Sequence, residues 1–117
     1  MSNSPPTTRM ETGGFRIEIA DDPAKICRLA AGEIQRLAER KASSAKPFAI
    51  ALSGGSTPRG LHALLANDPT VRDRLPWQYM HFFWGDERHV PPDHPQSNYR
   101  MAYDTLLSLA PVTAENI

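Results

Sequence analysis

Pro47-Phe48-Ala49-Ile50-Ala51-Leu52, followed at once by Ser53-Gly54-Gly55-Ser56-Thr57-Pro58, is the stretch that decides how this chain folds. Six consecutive apolar residues bounded by turn chemistry have the length and uniformity of a strand buried on both faces of a sheet. The polar turn after them carries two adjacent glycines. It closes on Thr57-Pro58, an N-cap followed by a proline suited to the first position of a helix. Leu61, Leu64 and Leu65 then mark a short helix that ends near Asn67-Asp68-Pro69. Strand, glycine turn and helix in that order make one unit of a parallel α/β sheet.

The alternation continues on both sides. Upstream, Phe15, Ile17 and Ile19 point one way and Arg16 and Glu18 the other, the pattern of a half-buried strand. Asp22-Pro23 opens a helix whose apolar stripe is Ile26, Leu29, Ala30, Ile34, Leu37 and Ala38. Cys27, beside that stripe, reads as a small packing residue. Downstream, Tyr79 to Trp84 is a second buried strand. Ser97 caps a helix with Tyr99, Ala102, Tyr103, Leu106 and Leu107 on its inner face. The order β-α-β-α-β-α predicts an α/β domain built on a parallel sheet covered by helices. Residues 1–14, which carry Pro5 and Pro6 among serines, threonines and glycines, read as a disordered tail ahead of a domain at 15–117. The chain stops at Ile117, where a fourth strand is due, so the domain reads as cut short after about three β-α units.

Composition narrows the class. Thirteen basic residues balance thirteen acidic ones, so no bulk field draws the chain to nucleic acid or to an anionic membrane. One cysteine in 117 residues excludes an internal disulfide framework and fits a reducing compartment. No apolar run approaches the roughly 20 residues of a membrane span, and residues 1–14 carry no apolar core of a secretory signal. A soluble cytoplasmic protein without nucleic-acid or membrane partners is expected.

Two segments carry the candidate chemistry. In Ser53 to Pro58, the paired glycines let successive N–H groups turn inward, the following helix directs its positive end at the turn, and three hydroxyls add donors. That is an anion cradle suited to a phosphate. It is neither a Walker A loop nor a Gly-x-Gly-x-x-Gly turn, so no nucleotide cofactor is implied. A plain strand-to-helix connection is the alternative. The second segment, Gly85-Asp86-Glu87-Arg88, follows the strand ending at Trp84, on the edge where open α/β sheets bind ligands. An arginine there can grip a phosphate through two parallel hydrogen bonds, and a carboxylate beside it can orient a hydroxyl or handle a proton. A solvated charged loop is the alternative.

The stiff loop His89 to Asn98 stands next to these segments and contributes His89 and His94 as candidate bases. His62 and His81 read as packing or surface residues. No metal-ligand spacing is present, and without a Gly-x-Ser-x-Gly elbow Ser53 and Ser56 read as phosphate donors rather than nucleophiles.

Ser53 to Pro58, Phe82-Phe83-Trp84-Gly85-Asp86-Glu87-Arg88 and His94-Pro95-Gln96-Ser97-Asn98-Tyr99 together resemble the 6-phosphogluconolactonases, in that family's order and spacing. The likeness runs from about Phe15 to the last residue. It implies a Rossmann-like sheet domain and a carboxylic ester hydrolase of the pentose phosphate pathway. Such an enzyme opens 6-phosphoglucono-δ-lactone to 6-phosphogluconate without a cofactor or metal. By position, Gly54, Gly55, Ser56 and Thr57 would hold the substrate phosphate, Arg88 would contact substrate in the same pocket, and Asp86 matches a catalytic aspartate. The family's base is a histidine in a motif ending Asp-Gly-His in the second half of the domain. That motif is absent here, so the missing C-terminal half is an expected partner. Two other functions compete with the lactonase reading. A sugar-phosphate-binding module without catalysis would keep the cradle and lack a base. The related glucosamine-6-phosphate deaminase reaction is disfavoured by Gly54-Gly55, Arg88 and Asn98.

Overall fold

The computed structural model describes residues 8–117, which run β1 (Thr8–Thr12), β2 (Phe15–Ile19), α1 (Pro23–Ser43), β3 (Phe48–Leu52), α2 (Ser56–Asn67), α3 (Pro69–Arg72), β4 (Met80–Trp84) and α4 (Asn98–Ala102). A 3-10 turn at Trp77–Tyr79 leads into β4, and a π-helical turn, Tyr103–Leu107, prolongs α4. β3 and β4 pair in parallel, with Phe48 opposite Met80 and Leu52 opposite Trp84. The α/β class is therefore as expected, in a βαβ unit formed by β3, α2 and β4.

All helices gather on one face of this sheet. Leu52, Met80 and Phe82 are buried there against Leu65 and Ala66 of α2, Ala31 and Ala38 of α1, and Ala102, Leu106 and Leu107. Trp77 closes the cluster, stacked on Phe82 with ring centroids 6.4 Å apart and its indole N–H donated to Arg72 O at 2.9 Å. The opposite face stays open, so the expectation of strands buried on both sides is corrected. Ala49, Ala51 and Phe83 are exposed, and Phe83 keeps 57% of its surface. The uniform apolarity of both strands is that of residues made to be covered on two sides.

The strand at Phe15–Ile19 forms, but in a different sheet. It pairs antiparallel with β1, Met10 opposite Ile17, through a turn in which Gly13 and Gly14 take φ of 56° and 82°. Two successive positive φ values are what a two-residue hairpin of matching twist requires. This corrects the disordered reading of residues 8–14, whereas residues 1–7 lie outside the described part. Charged residues pair across one face of the hairpin (Arg9 with Glu18 at 2.7 Å), and Met10, Phe15, Ile17 and Ile19 are exposed.

α1 starts as expected. Asp22 accepts a hydrogen bond from Lys25 N at 2.8 Å, and Pro23 occupies the first turn. Its buried side is rotated from the anticipated stripe: Cys27, Ala31 and Ala38 are buried and Ile34 packs on the core, while Ile26 and Leu29 are exposed. The cause is a close crossing with α2. A Cβ built on Gly60 would lie 3.3 Å from Cys27 Sγ, so only small side chains fit between the two helices. Ser97 caps α4, accepting from Arg100 N at 3.2 Å. Tyr103, placed on the inner face by its spacing, is instead 47% exposed at the start of the π turn. No helix among the described residues is long and apolar enough to cross a membrane.

Candidate functional site

Parallel pairing brings the two candidate segments together. Because Leu52 and Trp84 are opposite one another, the turn at 53–55 and the loop from Gly85 leave the same sheet edge, and Gly85 N donates to Leu52 O at 3.0 Å. In the turn, Gly55 takes φ 105°, a conformation that favours glycine. Gly55, rather than Thr57, is the N-cap. Its carbonyl accepts the first helical bond, from Arg59 N at 3.1 Å, so Ser56, Thr57 and Pro58 are the first three residues of α2. Proline is tolerated there because N–H groups of a first turn have no helical partner in any case. No side chain caps this end. The N–H groups of Ser56 and Thr57 therefore meet no intrahelical acceptor, at the end of the helix that carries partial positive charge.

The second loop is organised around Glu87, to which the sequence reading gave no role. Glu87 Oε1 accepts from Arg88 N and Asn98 N, each at 2.7 Å, and Oε2 accepts from Ser97 Oγ at 2.9 Å and Tyr99 N at 3.0 Å. The backbone N–H groups of Arg88, then Asn98 and Tyr99, hold its carboxyl down at about 2. Asn98 Nδ2 donates to Asp86 O at 3.1 Å, and a Cβ built on Gly54 collides with the Asn98 side-chain amide. Asn98 is thus wedged between the glycine turn and the Asp86 backbone. Tyr99 packs on Trp84, with centroids 5.2 Å apart, and fastens α4 to the end of β4. The one signal for Glu87 in the sequence was its distance of ten residues from a helix cap.

Asp86 and Arg88 are both exposed, and among the described residues neither side chain is engaged in an ion pair or hydrogen bond. Their charged groups are available to a ligand. Gly54, Gly55, Ser56 and Thr57 lie in the neighbouring turn and first helical turn. A cleft of about 460 Å³ opens on the other side of the α2 N-terminus, lined by Cys27, Arg28, Ser56, Thr57, Gly60 and Leu64, among others. It takes in Ser56 and Thr57 and leaves out Asp86 and Arg88, so it is a groove between α1 and α2 that does not join the two loops. Cys27 is buried at its floor with its thiol 3.6 Å from Thr57 O, in the packing role expected.

The histidines divide. His94 accepts Gln96 N–H on Nδ1 at 3.0 Å, which occupies the lone pair that a neutral imidazole would use as a base. His89 is exposed and has no hydrogen bond among the described residues. His62 is buried, only 2% exposed, with Nδ1 3.4 Å from Thr105 Oγ1; burial, aided by the charge of Arg59, lowers its pKa to about 4. It packs away from the site, as expected.

Residues 21–117 match the family model of glucosamine-6-phosphate isomerases/6-phosphogluconolactonase. A 6-phosphogluconolactonase of a Nostoc species is 51% identical over 70 residues, which are 60% of this chain and 27% of that protein. Among solved structures, the devB protein superposes with a TM-score of 0.74 at 36% identity, over 82% of this chain and 38% of the other. The 6-phosphogluconolactonase of Trypanosoma brucei superposes with a TM-score of 0.65 at 33% identity, over 80% of this chain and 40% of the other. The chain thus spans between about a quarter and two-fifths of the length of these relatives. With the matched stretch covering nearly all the described residues, this chain belongs to the family of glucosamine-6-phosphate isomerases/6-phosphogluconolactonase.

Proposed function

We propose that residues 15–117 are the N-terminal, phosphate-gripping part of a 6-phosphogluconolactonase domain, which hydrolyses 6-phosphoglucono-δ-lactone to 6-phosphogluconate in a reducing, cytoplasmic compartment. The observation that carries this reading is the meeting of two loops on one sheet edge. One ends in the uncapped N-terminus of α2 and the other presents Asp86 and Arg88 unpaired. Gly54 and Gly55 let the turn approach a phosphate, Ser56 and Thr57 donate to it, and Arg88 supplies a permanent charge with two parallel donors.

Hydrolysis requires water to add to the lactone C1, with charge developing on the carbonyl oxygen. The ring oxygen is then expelled and takes up a proton, leaving a carboxylate and a hydroxyl. A base must accept the proton of the attacking water, and donors must meet the developing oxyanion. Asp86, next to Arg88, is placed to orient that water or a sugar hydroxyl. The Nδ1 lone pair of His94 is already engaged. This favours, for the 117-residue chain by itself, a second reading in which sugar phosphate binds without turnover and the remainder of the relatives' length supplies the base.

The test pairs hydrolysis of 6-phosphoglucono-δ-lactone, measured against its spontaneous rate with Arg88→Ala as control, with calorimetric binding of 6-phosphogluconate. Binding that Arg88→Ala weakens, without turnover, is the expected result for the isolated chain. Turnover lost in Arg88→Ala would make this part of the domain self-sufficient and His89 its base. Neither binding nor turnover by the folded chain would sink the sugar-phosphate reading.

A further inference from the structure

Glu87 stands between the two residues proposed to face substrate, yet both oxygens of its own carboxylate are engaged by the protein. Four donors from two segments about ten residues apart converge on it: Arg88 N and Asn98 N on one oxygen, Ser97 Oγ and Tyr99 N on the other. A carboxylate has about four lone-pair sites, so four donors leave none over for water or substrate. Glu87 is therefore neither a base nor a ligand contact.

The origin of those donors shows what it does. Asn98 N–H and Tyr99 N–H are the first two of α4 and have no helical acceptor, so Glu87 acts as that helix's acceptor from a distant loop. Ser97 Oγ donates to Glu87 while accepting from Arg100 N, so the helix's own cap is oriented by the same carboxylate. Arg88 N–H folds back onto Glu87, and Asn98 Nδ2 holds Asp86 O on the other side. The backbone is thus pinned on each side of Glu87, and Asn98 bears against Gly54.

We infer that Glu87 is a positioning residue for sugar-phosphate recognition: by clasping the start of α4, it fixes the backbone from which Arg88 and Asp86 reach toward the glycine turn. This rests on the function proposed above for that turn. Its low pKa keeps the clasp ionised throughout the neutral range. Glutamine cannot replace it, because an amide NH2 would face two donors, and aspartate is one methylene too short to span both segments.

The test is a double-mutant cycle on the 117-residue chain, with 6-phosphogluconate affinity read by calorimetry for wild type, Glu87→Gln, Arg88→Ala and the double variant. Glu87→Gln is expected to lose about tenfold in affinity on its own and only about twofold in the Arg88→Ala background, because most of its effect passes through Arg88 and the rest through Asp86. In 15N spectra, the Arg88, Asn98 and Tyr99 amide signals should move upfield in Glu87→Gln while those of the β3–β4 core stay in place. If Glu87→Gln does not fold, Ser97→Ala, which removes one donor of the four, takes its place in the cycle with an expected two- to threefold loss. Affinity unchanged from wild type, or losses that add in full, overturns the inference and leaves the sugar-phosphate reading standing. A wild-type chain that binds no 6-phosphogluconate overturns both.

Discussion

The two loops that leave the sheet edge handle the same physical problem in opposite ways. At the turn into α2, the first helical N–H groups have no acceptor from the protein: Gly55 caps without a side chain, and Ser56 and Thr57 are left with donors to offer. At the start of α4, the equivalent N–H groups are all accounted for by Glu87 and Ser97. On the function proposed above, the helix start left unsatisfied is the place for an outside anion and the doubly capped one is a brace. The proposed site would depend on this difference, because a brace would keep the open end and the Arg88 loop in register.

The largest break in the comparison is at Gly55. Its φ of 105° is strained for any other residue, so Gly55→Val is expected to abolish 6-phosphogluconate binding and to cost about 1–3 kcal/mol of stability, measured by calorimetry and urea unfolding. A valine variant that folds and binds normally shows that the open turn is not the anion site. Next is Arg88→Ala, expected to weaken the same binding by about 1.5–3 kcal/mol without changing the urea midpoint, since its exposed guanidinium makes no ion pair or hydrogen bond among the described residues.

Gly54→Ala probes the seam between the loops. Its Cβ collides with the Asn98 amide, so a stability loss of about 1–2 kcal/mol is expected. The double variant with Asn98→Ala should recover most of it. Absence of that recovery would mean that Asn98 does not join the two loops.

The smallest effects appear in the acid limb of stability, and they separate two groups. His62 is neutral when folded, with a pKa near 4 against an ordinary 6.5. The unfolded chain therefore takes up its proton first, and stability falls as pH drops from about 6.5 to about 4. Glu87 is held at about 2 against an ordinary 4.5, so its contribution is complete above about 4.5 and is lost as pH falls toward 2. His62→Gln should flatten the first window and Glu87→Gln the second, in urea midpoints followed against pH. If one substitution flattens both windows, the assignment of separate groups is wrong.

What the sequence made legible follows from local chemistry. The apolar run at Phe48–Leu52 and the glycine turn are short-range signals; the strand formed where it was expected, and the turn formed with its helix starting two residues earlier, at Ser56. Parallel pairing then placed Asp86 and Arg88 on the edge of the glycine turn, as the order of elements implied. The hairpin was missed even though its signal was present: Gly13-Gly14 between Met10 and the alternation of Phe15, Ile17 and Ile19 is a two-residue turn pattern. The Ser- and Pro-rich composition of the opening masks it. The rotated face of α1 depended on a close helix crossing at Cys27 and Gly60, which no periodicity within one helix reveals. Glu87 was illegible for a similar reason, since three of its four partners lie ten to twelve residues away and three of its four bonds go to backbone groups.

Everything proposed for this sheet edge requires that it bind a sugar phosphate through the open helix start. The most direct measurement is a titration of the 15N-labelled chain with 6-phosphogluconate, followed by amide chemical shifts. The largest changes are expected at Gly54, Gly55, Ser56 and Thr57, with the Asn98 and Tyr99 amides bound to Glu87 moving little. Shifts confined to the α1–α2 groove around Arg28 and Gly60, or no saturable shift at all, would contradict that expectation.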